Sequence, residues 1–160
     1  MRSSGPGSQA SPARWVMGLL ALAATLPLAG TIWTRSTNVI KIPRGAKETL
    51  PNTAYITREW NVVVTGVEVR DDPAPAGEQC LPRWTFYYKN TDSQPHYVAI
   101  TVQCQDIHRK DRARFTYNAT LAPDHKEEFG LEIASKVKVD DWKQTLFVKV
   151  TVDFLSTPSG

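Results

Sequence analysis

The sequence predicts an all-β fold: an immunoglobulin-like sandwich of about seven antiparallel strands, preceded by one N-terminal transmembrane helix. Three observations carry that prediction. Beyond residue 60, apolar side chains recur with period two in one segment after another, the spacing of strands with one buried and one wet face. The clusters DDPAPAG, NTDSQP, HRKDR and LAPD separate those segments with turn-forming residues. Finally, residues 15–33 (WVMGLLALAATLPLAGTIW) form a run of 19 residues without a charge. A helix rising about 1.5 Å per residue spans roughly one hydrocarbon core over such a length.

In chain order, residues 1–14 (MRSSGPGSQASPAR) hold little to bury and read as a disordered tail. The membrane segment is expected over residues 15–34. Trp15 and Trp33 stand at its ends, where an indole buries its ring and keeps its N–H near the headgroups, and Arg14 and Arg35 lie just outside. The competing reading is a cleaved secretory signal. Cutting after Ala29 puts Pro27 at the third position before the cut, and cutting after Gly30 puts Leu28 there. Neither suits a signal peptidase, which favours the retained signal-anchor. Pro27 removes one helical hydrogen bond, a loss that membrane helices tolerate, and no cysteine in the run offers a lipid attachment point.

Residues 35–51, which mix charges with Pro43, Gly45 and Pro51, read as a linker or a first edge strand. The β domain is then expected over residues 52–160. Its strongest strand is TLFVKVTVDF, with Leu146, Val148, Val150, Val152 and Phe154 inward. The same alternation points Val98, Ile100, Val102 and Cys104 inward in HYVAITVQC, Trp84, Phe86 and Tyr88 inward in RWTFYY, and Phe115 and Tyr117 inward in RARFTYN. WNVVVTGVEVR, EFGLEIAS and a short strand near Tyr55 complete the set. Beyond Trp33 no segment carries a helical stripe, and Val137, Val139 and Trp142 mark at most a short turn interrupted by Asp140 and Asp141.

The formal charge of +3 comes from the N-terminal part: residues 36–160 carry 16 Lys and Arg against 16 Asp and Glu. A neutral domain lacks the positive field that phosphate backbones require, so nucleic acid is not an expected partner.

Cys80 and Cys104 are the only two cysteines. A hairpin turn centred near Asp92 would set Phe86 opposite Val98, Trp84 opposite Ile100 and Cys80 opposite Cys104, all on one face. A disulfide is therefore expected, closing the open end of the hairpin and contributing about 2–4 kcal/mol. Two free thiols in a reducing compartment are the alternative. Positive charge is denser after the apolar run (Arg35, Lys41, Arg44, Lys47) than before it (Arg2, Arg14), which taken alone would keep the domain cytoplasmic. The disulfide points the other way, to a cytoplasmic N-terminus and an extracytoplasmic domain in a periplasm or its equivalent.

No catalytic constellation is legible. His96, His108 and His125 fall in separate turns or strand ends and read as surface residues, and no nucleophile elbow, phosphate loop, HExxH or paired-carboxylate motif appears. Two cysteines without histidines at ligand spacing make no metal site, and no cofactor is implied. Asn118-Ala119-Thr120 is a glycosylation sequon inside an expected strand. Two surface features suggest contacts instead. Arg109, Lys110, Arg112 and Arg114 form a dense basic patch, suited to a solvated loop tip, to anionic headgroups or to an acidic partner. Tyr87 and Phe147 place large rings on the sides of their strands where alternation expects water, and on a shared face they would form an aromatic contact patch.

The stretch KNTDSQPHYVAITVQCQD followed by LAPDHKEEF, within residues 90–129, resembles bacterial FxLYD-like and related immunoglobulin-like extracytoplasmic domains. In these a small polar turn leads into a strand ending in Asp, and a Leu/Pro turn leads on to an aromatic. The resemblance implies a membrane-tethered binding or scaffolding module. The expected function is thus a non-catalytic accessory or scaffolding subunit, with other membrane-protein subunits and the lipid bilayer as partners. The alternative is a secreted or tethered domain that binds a peptide, a glycan or a small molecule.

Overall fold

The structure is a computed structural model that describes residues 32–51, 53–56, 61–72 and 77–156. The expected tail, and the expected membrane helix as far as residue 31, lie outside the described residues. Within them the chain is all-β with antiparallel sheets. A four-stranded sheet has the order β1 (Ile32–Lys41), β11 (Phe147–Leu155), β7 (His96–Gln105) and β8 (Asp111–Leu121). A second sheet runs β2 (Glu48–Thr49), β4 (Asn61–Arg70), β6 (Arg83–Asn90) and β9 (His125–Ala134), with β3 (Ala54–Ile56) also on β4. A small pair joins β5 (Gln79–Cys80) to β10 (Val137–Lys138).

Alternation predicts the core well. Val148, Val150, Val152 and Phe154 of β11, Val98, Ile100, Val102 and Cys104 of β7, and Trp84, Phe86 and Tyr88 of β6 are buried. They join one apolar cluster fed by both larger sheets. Trp84 sits at its centre, with ring contacts to Phe86, Phe115 and Trp142, and its indole N–H donates to Ser135 Oγ at 3.0 Å. Phe115 and Tyr117 are only half-buried because β8 is an edge strand. In β4 a bulge between Val64 and Gly66 switches the inward parity, so Val62 and Val64 before it and Val67 and Val69 after it are all buried.

Several expectations are corrected. Residues 32–34, assigned above to the membrane helix, open strand β1, so Trp33 belongs to a strand and not to a helix end. Of the two readings for residues 35–51, the edge strand holds from Arg35 to Lys41, where β1 flanks β11. Leu146 precedes β11 and is exposed. Val139–Gln144 forms helix α1, and Asp140 and Asp141, read as interruptions, sit in its first turn, where the free backbone N–H groups favour negative charge. No helix among the described residues is long and apolar enough to cross a membrane.

The largest correction concerns the hairpin. β6 pairs with β4 and β9, whereas β7 pairs with β11 and β8, so the two strands lie in different sheets and Cys80 is not in register with Cys104. Cys80 pairs with Val137, and Cys104 lies opposite Val148 on one side and Ala113 on the other. Both thiols are free and buried. The physical reason is the connection after Asn90, which leaves one sheet for the other. Asn90 is fully buried: its Nδ2 donates to the carbonyls of Gln94, Leu121 and Ala122, and its Oδ1 accepts from the Asp92 N–H. One side chain therefore fixes both chain crossings at this end.

Candidate binding surface

The outward side chains of the four-stranded sheet fall into rows set by strand register, because residues directly opposite in antiparallel strands share a face. The central row is Thr37, Thr151, Thr101 and Thr116, one threonine from each strand. Thr37 and Thr151 share a hydroxyl hydrogen bond of 3.1 Å, and Thr101 and Thr116 one of 2.8 Å. On one side lies the row Val39, Lys149, Gln103 and Arg114, and on the other Arg35, Asp153, Ala99 and Asn118. Eight of these side chains, all but Val39, Ala99, Thr116 and Asn118, line a shallow depression of about 330 Å³.

Its charges are unequally paired. Arg35 grips Asp153 through Nε at 2.6 Å and Nη2 at 3.0 Å. Lys149 and Arg114 close no ion pair among the described residues. The nearby Asp111 is engaged by Gln105 and Gln103, at 2.9 and 2.7 Å. Those bonds, with help from Lys149 and Arg114, hold its carboxyl below the usual carboxylate range despite partial burial.

The basic patch meets this face at its end. Arg109 is held in the left-handed region (φ 64°) within a tight loop. Asp106 organises the loop by accepting the N–H groups of His108 and Lys110 and both Nε and Nη2 of Arg112. Burial alone would raise the Asp106 carboxyl, but these donors bring it below its ordinary value. The loop points the Arg109 guanidinium over the Phe147 ring, 3.3 Å from its centroid, a cation–π contact. The structure therefore joins Phe147 to Arg109 and sets Arg114 one row further along the same face, while Arg112 is committed to Asp106. Sequence reasoning named these residues but had no signal for their adjacency, which depends on β11 pairing with β7.

Tyr87 lies elsewhere. It is on the outer face of the five-stranded sheet, its O–H donates to Glu68 at 2.9 Å, and Lys47 covers its ring at 4.7 Å. Tyr87 and Phe147 lie on different sheets and form no combined aromatic patch. His96, read as a surface histidine, is buried and bonded to Asp92 at 2.7 Å.

A second concavity of about 460 Å³ lies at the same end as the basic loop. Its walls include Ile42, Trp142, Leu146 and Cys80, with the Arg44–Asp71 ion pair alongside. Burial pushes the Cys80 thiol up, and pushes Cys104 up to about 12, so neither is a ready thiolate nucleophile. Cys80 donates weakly to the Val137 carbonyl at 3.4 Å. Among the described residues no group of three metal-ligating side chains is assembled. What the four-stranded face offers chemically is hydrogen bonding and positive charge. No family model and no curated protein matches this chain.

Proposed function

We propose that the chain is a membrane-anchored, non-catalytic accessory module, an immunoglobulin-like sandwich that docks on another membrane subunit through the outer face of its four-stranded sheet. The observation that carries this reading is the union of Phe147 and Arg109 with Lys149 and Arg114, which close no ion pair among the described residues, on one face. An aromatic anchor ringed by cations is the composition of a contact surface for an acidic partner.

The fold also bears on direction. β1 opens at Ile32, so an anchor formed by residues 15–31 leaves the domain no spacer. The basic loop lies at the opposite end of the sheet, beyond the Lys41, Phe147, Gln105 and Asp111 row. That is about 30 Å away along strands rising about 3.3 Å per residue. Contact between this loop and the headgroups of the same membrane is disfavoured, and a protein partner is favoured. Detergent extraction and native mass measurement test the reading. The protein should leave with another subunit, and Phe147→Ser with Arg109→Ser should abolish that association while moving Tm by less than about 2 °C. A detergent-extracted monomer in both forms would overturn it.

A specific observation favours a second reading, a tethered ligand-binding domain: Thr37, Thr151 and Thr101 of the threonine row line a concave depression.

A further inference from the structure

We infer that the threonine row and its flanking cations bind an oligosaccharide carrying anionic groups, laid across the four strands. The inference rests on the tethered ligand-binding reading and supplies the ligand's chemistry. The row of Thr37, Thr151, Thr101 and Thr116 sets four hydroxyls at strand spacing, over about 15 Å, with Thr37 and Thr116 exposed, Thr151 half-buried and Thr101 the most deeply set. Each hydroxyl both donates and accepts, and the two threonine–threonine bonds leave acceptor capacity on all four oxygens and a donor on one of each pair. Such a row matches a chain of sugar hydroxyls, which also donate and accept. It does not suit a peptide, whose side chains need apolar pockets to anchor them. The residues that enclose the depression are Arg, Lys, Thr, Gln and Asp, with no large apolar side chain among them.

Charge decides between a neutral and an acidic sugar. Lys149 and Arg114 flank Gln103 in one row, two strand spacings apart, and neither closes an ion pair among the described residues. An anionic group above Gln103 lies between both cations and accepts from either of them, the Gln103 amide being engaged with Asp111. On the far side of the threonines the Arg35 guanidinium, fixed by Asp153, points along the same face. A neutral sugar would leave Lys149 and Arg114 as they are; an acidic one replaces their water with charge-assisted hydrogen bonds. Carboxylate and sulfate groups satisfy this chemistry equally.

The test titrates the full-length protein in detergent with four probes: a galacturonate hexamer, a heparin-derived hexasaccharide, maltohexaose and a glutamate hexapeptide. At least one acidic oligosaccharide should bind and maltohexaose should not, and the stronger of the two acidic probes identifies carboxylate or sulfate as the source. Lys149→Gln with Arg114→Gln should weaken binding at least about tenfold, and Thr37→Val with Thr151→Val about threefold. Lys89→Gln, on the other sheet, should change nothing. Equal binding of maltohexaose, or binding of the hexapeptide as tight as that of the acidic sugars and indifferent to the threonine variants, would overturn the inference. If only the hexapeptide binds, through Lys149 and Arg114, the inference fails and the ligand-binding reading survives. If no probe binds, both fall.

Discussion

The two larger sheets show alternating strands of the same kind, yet their outer faces treat charge differently. On the five-stranded sheet much of the charge is closed locally: Lys47 pairs with Glu128 and covers Tyr87, Glu68 takes both Arg70 and the Tyr87 hydroxyl, and Thr65 donates to Glu128. Arg83, Lys89 and Glu132 close no ion pair among the described residues and are of mixed sign. The Glu68 and Glu128 carboxyls are accordingly held below their ordinary values, chiefly by Arg70 and by Lys47. On the four-stranded sheet the central hydroxyls pair with one another and Arg35 closes on Asp153, but among the described residues Lys149 and Arg114 close no ion pair, and both are positive. A face that has satisfied its own charges has little left for a partner. An open one retains unmet capacity for a partner that supplies the opposite sign.

The most disruptive way to break the comparison is to remove the crossing that separates the sheets. Asn90→Ala deletes one buried donor group that serves three carbonyls and one acceptor, and should cost about 3 kcal/mol in denaturant unfolding. A loss under about 1 kcal/mol would show that the crossing is held by something else. The cysteines sharpen the same point. With Cys80 and Cys104 on separate sheets and both buried, a thiol reagent at neutral pH should find no reactive group in the native protein. After denaturation without reductant it should find two. Finding none after denaturation would reveal a bridge across the core between the two sheets, in place of the free thiols of the structure.

Smaller effects probe the closed face. Lys47→Ala removes the main cause of the lowered Glu128 carboxyl. A depressed carboxyl stabilises the fold above its unfolded pKa, and that contribution is lost as pH falls through its folded value. The variant should therefore be less stable at pH 7 by about 1 kcal/mol, counting the lost ring contact. The Glu128 part of the difference should disappear as pH falls below its ordinary value and through its depressed folded one, leaving only the smaller ring-contact part; a gap that stays at its full size in acid would assign all of it to packing. Tyr87→Phe should cost about 0.5 kcal/mol and leave ligand and partner binding unchanged, because its hydroxyl serves Glu68 alone.

How much of this was legible in the sequence depended on whether the signal was local. The inward faces of β6, β7 and β11 followed from alternation because valine, isoleucine and aromatic side chains mark a buried face unambiguously. β1 was half-hidden because its less exposed side carries Thr34, Ser36 and Asn38 before Ile40, a polar set that gives no period-two hydrophobic signal. Its first residues also continue an apolar run. The partners of each strand were not legible. Register parity links two strands only if they share a sheet, and the five residues between Asn90 and His96 are enough to change sheets. That one ambiguity produced both the mistaken cysteine pairing and the silence about which charges meet on the four-stranded face.

The most direct measurement is position-specific photocrosslinking in native membranes, with a benzophenone amino acid placed at Gln103 or, in a separate protein, at Thr85. Gln103 lies between Lys149 and Arg114, and Thr85 on the outer side of the other sheet next to Glu68 and Glu132. Position 103 should yield a discrete adduct in stoichiometric amount that disappears in Lys149→Gln with Arg114→Gln, and position 85 should yield none. A strong adduct from position 85 with none from position 103 would contradict the assignment of binding to the four-stranded sheet.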